Sequence, residues 1–178
     1  MIESDTSLRF RPAHYDDIPA IVALVESAYR GDASRIGWTT EAEFLEGQRT
    51  DAEGVREILE QPDSVILLAE RGSDLLACIN VQRLPTAGYF GMFSVRPNLQ
   101  GQGIGDALLK AAEAMARDEW HHQRMTMSVF SIRPELIAYY ERRGYRRTGE
   151  TKPFPYGDAR FGLPKRDDLV FEVFAKAL

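Results

Sequence analysis

Met92-Phe93-Ser94-Val95-Arg96-Pro97-Asn98-Leu99-Gln100-Gly101-Gln102-Gly103-Ile104-Gly105-Asp106-Ala107-Leu108, continuing to Met115, is the run that organises the chain. It opens as an apolar strand ending near Val95, because Pro97 removes a ladder donor and forces its predecessor out of the helical region. A helix follows from about Ile104, with Ile104, Ala107, Leu108, Ala111, Ala112 and Met115 on one face at helical period. Between strand and helix stand Gly101, Gly103 and Gly105 on alternate positions. Such a turn lets backbone N–H groups approach an anion with no Cβ in the way. The helix start behind it adds unpaired donors and a positive dipole end, so a phosphate or pyrophosphate is the natural guest. An ordinary Gly-rich loop is the competing reading of the glycines alone.

Three nucleotide readings separate on neighbouring residues. A Walker loop needs Gly-Lys-Ser/Thr, and Asp106 follows Gly105. A dinucleotide fingerprint needs a glycine at 106 and is usually found on the first strand of its domain. The third reading takes Gln100, Gly103 and Gly105 together, preceded by Val95 and Pro97. This pattern resembles the Gln/Arg-x-x-Gly-x-Gly/Ala signature of the GNAT family of N-acetyltransferases, which in that family cradles the pyrophosphate of acetyl-CoA. Strand, Val-x-Pro, glutamine, glycines and helix arrive in the family's order, which makes the match specific.

The 178 residues are read as one domain, 1–178, large enough to bury a core. Hydrophobic content of 44% and charged content of 28% fit a soluble globular protein. A net charge of −5 argues against non-specific nucleic-acid binding. Cys78 is the one cysteine and sits in an apolar run, so it reads as a small core residue and no intramolecular disulfide exists. Met1 to Ser7 is polar and acidic, and no apolar run approaches the ~20 residues that span a bilayer. A cytoplasmic protein without membrane attachment is expected. Three histidines and no cysteine pair give no metal site.

The rest of the chain divides by period and punctuation. Leu8 to Arg11 alternates as a strand ending at Pro12. Asp16 or Asp17 opens a helix with Ile18, Ile21, Val22, Val25 and Tyr29 inward. Thr40 with Glu43 predicts a capping box and a helix through about Gly47, and a further helix runs from about Asp51 to Gln61. Val65–Ala69, Leu75–Leu84 and Ala87–Val95 read as antiparallel strands joined by short turns. Met125–Phe130 is a strand parallel to the one ending at Val95. Pro134 starts a helix closed by Gly144, Tyr145–Thr151 pairs as a strand, and Leu169–Phe174 ends the domain after a long loop, Pro153 to Asp168.

This order matches the GNAT family over essentially the whole chain, most strongly from Tyr89 to Tyr145. The resemblance implies an α/β fold: a mixed, mostly antiparallel twisted sheet flanked by helices, with two central strands splayed apart. It implies that pantetheine enters the gap and pairs with the backbone of Phe93 and Val95, the Phe93 N–H lying near the thioester carbonyl. Gln100, Gly101, Gln102, Gly103, Ile104 and Gly105 would form the pyrophosphate loop. Ala138-Tyr139-Tyr140-Glu141-Arg142-Arg143-Gly144-Tyr145 resembles the family's Leu-Tyr-Glu-x-x-Gly-Phe. There the tyrosine before the glutamate protonates the departing thiolate, which here is Tyr140; a phenol is protonated at neutral pH and suits the task. A core tyrosine on an amphipathic helix is the alternative. Two departures stand out. Arg133 occupies a position where many members have asparagine, and Tyr89 occupies one where some carry a glutamate base.

The expected activity is acetyl transfer from acetyl-CoA to a primary amine of a small molecule, by direct attack in a ternary complex. A protein or peptide N-acetyltransferase and a CoA-binding module without turnover are the rivals. A homodimer is compatible with either. The family's topology places Gly37–Arg49 and Pro153–Gly162 over the acceptor side. Arg49 and Arg160 are therefore candidates for an acceptor carboxylate, and Glu41, Glu43 and Glu46 for the amine; a solvated helix face is the alternative.

Overall fold

A computed structural model describes residues 7–178; the polar start, Met1 to Thr6, lies outside them. The strands and helices run β1 (Leu8–Pro12), α1 (Ile18–Tyr29), α2 (Gly31–Ser34), β2 (Leu45–Glu46), α3 (Ala52–Glu60), β3 (Ser64–Arg71) and β4 (Asp74–Arg83). They continue β5 (Gly88–Val95), α4 (Ile104–Asp118), β6 (Arg124–Phe130), α5 (Pro134–Arg142), β7 (Arg146–Pro153), β8 (Leu163–Pro164) and β9 (Val170–Ala177). Seven strands form one sheet in the order β1-β3-β4-β5-β6-β9-β7, while β2 and β8 pair separately. Every pairing is antiparallel except β5 with β6. Among the described residues no helix is long and apolar enough to cross a membrane.

The sheet is covered on both faces, which explains why β3 is a continuous apolar run rather than an alternating one. Leu67 and Ala69 face a core with α4's Ile104, Leu108, Leu109 and Ala112; Ile66 and Leu68 face a second core with Ile21, Val25 and Val55 from α1 and α3. A third cluster, Phe44, Leu45, Phe130, Phe154 and Leu169, lies under the loop between β7 and β9.

The feature that positions the site is the parting of β5 from β6. Their ladder holds only at Gly88↔Met125 and Tyr89↔Thr126. The approach there is so close that a Cβ on Gly88 would lie 2.9 Å from Met125 Sδ. Beyond Tyr89 the strands separate. The register of β4 on β5 slips between Cys78 and Asn80, and Met92 opposite takes a left-handed φ of 51°. One extra residue on β5 bends the strand, as a bulge does.

One expectation fails. No helix forms over Thr40–Gly47: Thr40 Oγ1 bonds Ser34 Oγ and accepts from the Ala42 N–H at 3.2 Å, and Leu45–Glu46 instead pair with Leu163–Pro164. A helix that short depends on tertiary packing. Here packing puts the adjacent Phe44 and Leu45 both in the third cluster and pairs the backbone with a partner far downstream. On α1, Ile18, Ile21 and Val25 are buried as expected, Leu24 and Ala28 are buried with them, and Val22 and Tyr29 pack partly buried against the same core, Tyr29 reaching the site with its hydroxyl.

Candidate active site

The gap beside β5 is a cleft of about 290 Å³, lined by Tyr29, Trp38, Phe93, Val95, Gln100, Gly103, Tyr139, Tyr140 and Arg143 among others. Arg96 N–H bonds the Leu76 carbonyl of β4. Strand alternation therefore turns the N–H and C=O of Val95 and Phe93 the other way, into the gap. Side chains meet the two carbonyls: the Tyr29 hydroxyl donates to that of Phe93, and Gln100 Nε2 donates to that of Val95 at 3.2 Å. The N–H groups of Phe93 and Val95 face the space. At the far end Gly101 and Gly103 take φ of +82° and +83°, and a Cβ on either would meet nothing within 4 Å. The backbone before α4 therefore stands open. The first helical bond runs from Ala107 N–H to Gly103 C=O, leaving the preceding donors orphaned at the dipole's positive end. A pyrophosphate fits this cradle, with Arg142 and Arg143 also on its wall.

Two adjacent tyrosines of α5 reach the cleft. Tyr140 is only 5% exposed and packs against Phe90, Tyr139 and Tyr145. Burial pushes its phenol well above the ordinary value, helped by the neighbouring tyrosines, so it is a protonated donor at any working pH. Its hydroxyl has no hydrogen-bond partner among the described residues, whereas the Tyr139 ring lies under the Arg143 guanidinium, 3.4 Å from ring centre. Tyr29 is the third. Burial pushes its phenol up to about 12, and it presents its hydroxyl to the carbonyl of the bulged strand.

Arg49 stacks on the Tyr29 ring at 5.6 Å, and on Arg49's side lies a second cavity of about 310 Å³. Its polar lining is Arg30, Glu41, Arg49, Tyr89, Ser128 and Lys152; Phe130, Phe161, Phe171, Pro153 and Pro155 supply apolar wall. Arg30 and Glu41 form an ion pair with side chains 4% and 9% exposed. Tyr89 and Ser128 share a hydrogen bond of 2.9 Å across the point where β5 and β6 begin to part. Tyr29 lines the first space, and its ring carries Arg49, which lines the second.

A profile of the Acetyltransferase (GNAT) family matches residues 24–145. The chain belongs to the GNAT family. Comparison with curated proteins returns no match. Among solved structures, a ribosomal-protein-alanine N-acetyltransferase from Brucella melitensis superposes with TM-score 0.68 at 21% identity, covering 96% of this chain and 99% of the other. An IAA acetyltransferase from Bacillus cereus gives 0.67 at 16% identity over 97% and 100%. A variant of the spermidine N-acetyltransferase SpeG from Vibrio cholerae gives 0.68 at 13% identity over 96% and 93%. These likenesses carry the fold. Membership carries the chemistry: the protein is an acyl-CoA-dependent N-acetyltransferase and acetyl-CoA is its acetyl donor.

Within this GNAT enzyme the residues singled out from sequence fall into two groups. Phe93, Val95, Gln100, Gly101, Gly103, Gly105 and Tyr140 all line the cleft. Gln102 is exposed outside the lining, and Ile104 sends its side chain into the core, so either meets a ligand only through its backbone. On the acceptor side Glu41 and Arg49 line the second cavity. Glu43 is exposed, Glu46 pairs with Lys165 at 3.1 Å, and Arg160 pairs with Asp158 at 2.8 Å; none of the three lines either space. Sequence reasoning missed Tyr29, Arg30, Ser128 and Lys152, which carry no spacing in common. Arg133 is buried at the start of α5, donating to the Trp38 carbonyl at 3.2 Å and lying over the Phe44 ring. Among the described residues no group of His, Cys, Asp or Glu stands together as metal ligands.

Proposed function

We propose that residues 1–178 act as one domain, transferring acetyl from acetyl-CoA to a primary amine of a small molecule by direct attack in a ternary complex. The observation that carries this reading is the pair of cavities whose walls touch where Arg49 of the second rests on Tyr29 of the first. The second is a walled space of about 310 Å³ under the Pro153–Phe161 segment, sized for a small acceptor rather than a polypeptide. The solved structures similar to it include enzymes named for a ribosomal protein and for spermidine, so fold alone does not choose.

The loop of Gly101 to Gly105 would hold the pyrophosphate on backbone donors, with Arg142 and Arg143 beside it. Bound there, acetyl-CoA supplies a thioester carbonyl in the gap. The Phe93 N–H would polarise its oxygen as negative charge develops. The amine nitrogen forms a bond to the carbonyl carbon while the carbon–sulfur bond breaks. Tyr140 gives its proton to the departing sulfur, and the amine proton leaves through water. Water is needed because Glu41, the one carboxylate lining the second cavity, is engaged by Arg30, and position 89 carries a tyrosine rather than an acid. Holding both partners in one geometry contributes as much as any single group. We place the enzyme in the cytoplasm.

A thiol-release screen over amino acids, polyamines, aminoglycosides and peptides tests the proposal. Release with a free small amine supports it. Release with peptide amines alone would turn the reading to a protein acetyltransferase. Binding of acetyl-CoA with no release from any amine would reduce the protein to a CoA-binding module.

A further inference from the structure

We infer that the acceptor carries an acidic group as well as its amine, and that Arg49 and Lys152 hold that group in the second cavity. This rests on the acetyltransferase reading above and adds the chemical class of its acceptor.

The argument is one of charge. Three cations and one carboxylate line the cavity, namely Arg30, Arg49, Lys152 and Glu41. Arg30 and Glu41 face each other, and both are nearly sealed from water. They neutralise one another, and Arg30 also donates to the Phe161 carbonyl at 3.1 Å. Arg49 and Lys152 remain. Neither has a carboxylate within ion-pair distance among the described residues. The nearby Glu26 spends Oε1 on the backbone N–H groups of Arg49 and Thr50, at 2.6 and 2.7 Å. Each cation instead rests on an aromatic ring, Arg49 on Tyr29 at 5.6 Å and Lys152 Nζ on Tyr89 at 5.0 Å. Stacking fixes a cation in place while leaving its N–H donors for a ligand.

The cavity therefore presents two unpaired positive charges and no free carboxylate. A polyamine would meet repulsion there. An amine bearing a carboxylate or phosphonate would meet charge-assisted hydrogen bonds. Phe130, Phe161 and Phe171 give the remainder of the acceptor an apolar wall. The Tyr29 ring under Arg49 also borders the cofactor cleft, so an anion held at Arg49 puts an amine one or two bonds away near the gap. Pairing the acid with two cations also removes its own hold on the ammonium proton. That favours the free amine in a site where no carboxylate is free to act as base.

The test sets L-phenylalanine, L-leucine and L-methionine each beside its amide, with the matching 1-aminoalkylphosphonates as a second source of anion, in the thiol-release assay. The acid should exceed its amide in kcat/KM by about 10-fold, as expected when a charge-assisted hydrogen bond is withheld at a partly exposed site. Whether carboxylate or phosphonate is the better anion identifies the acid. Arg49→Gln and Lys152→Gln should each shrink the acid-to-amide ratio through acceptor KM, leaving the acetyl-CoA KM and its thermal shift as evidence of an intact fold. Lys152 is exposed, so its replacement tests the site without risk to the core. Amides or polyamines used as well as acids, or a ratio that survives both substitutions, overturns the anion site and leaves the transferase standing. No release from any amine overturns the transferase and this inference with it.

Discussion

The cofactor cleft is built around the backbone of one run, Phe93 to Gly105, with polar side chains from α1, α5 and the Trp38 loop on its walls. The second cavity draws its own from the side chains of Arg30, Glu41, Arg49, Tyr89, Ser128 and Lys152, scattered over the fold. A backbone site asks of the sequence mainly that side chains be absent at the right places. A side-chain site asks for particular atoms to be present and held. The first is therefore broken by adding atoms and the second by removing them.

Adding atoms should abolish cofactor binding outright. Gly103→Val places a β-branched residue at a φ of +83° and fills the space before the orphan N–H groups. Wild-type protein at about 100 times Kd of acetyl-CoA should gain roughly 2.7 kcal/mol, and the variant should gain none. Its intrinsic stability should fall by about 1–3 kcal/mol from backbone strain, leaving a folded protein by circular dichroism. Unchanged affinity in that protein would show that the cleft is not a backbone site.

Removing atoms should come next. Glu41→Gln leaves the Arg30 guanidinium buried without its carboxylate, a loss on the order of 3–5 kcal/mol in chemical denaturation. A loss under about 1 kcal/mol would mean that the pair is looser than its burial implies.

Tyr140 is where side-chain chemistry intrudes on the backbone cleft. Tyr140→Phe should lower kcat by about 10²-fold while sparing the acetyl-CoA KM, and Tyr139→Phe should do much less. Burial raises the Tyr140 pKa, so the phenol stays protonated as pH rises and contributes no alkaline limb below about pH 10. An alkaline fall in kcat with its midpoint below about pH 10 that Tyr140→Phe abolishes would contradict this. The smallest effect belongs to Arg160→Ala. That side chain is exposed and bound to Asp158, so acceptor KM should change less than about twofold.

The same contrast governs what could be read without coordinates. The glycine spacing, the Pro97 break and the apolar face from Ile104 to Met115 are local, and the strand, turn and helix stand where they predict. The fold class followed from that run because its neighbours alternate in a matching order. Thr40 and Glu43 misled because a capping box is a local signal. The buried Phe44 and Leu45, and the pairing with Leu163–Pro164, are distant facts that outweigh it. Helical period places Tyr29 inward, where its ring packs, but cannot show that its hydroxyl reaches the Phe93 carbonyl. Lys152 was invisible as a site residue: in a strand exposed along its whole length, one more lysine looks like solvated surface.

Gln100 has a consequence for which substitutions this chain tolerates. The family signature permits glutamine or arginine there, which treats the two as exchangeable. In this protein Oε1 accepts the Trp38 N–H at 2.8 Å, while Nε2 donates to Thr39 Oγ1 at 2.8 Å and to the Val95 carbonyl. Arginine has donors for the last two but no acceptor for the first. The choice at position 100 is thus dictated by a loop sixty-odd residues upstream, and that loop cannot drift while the glutamine stays. Arginine at this position would, in this background, unlatch the segment leading to Glu41.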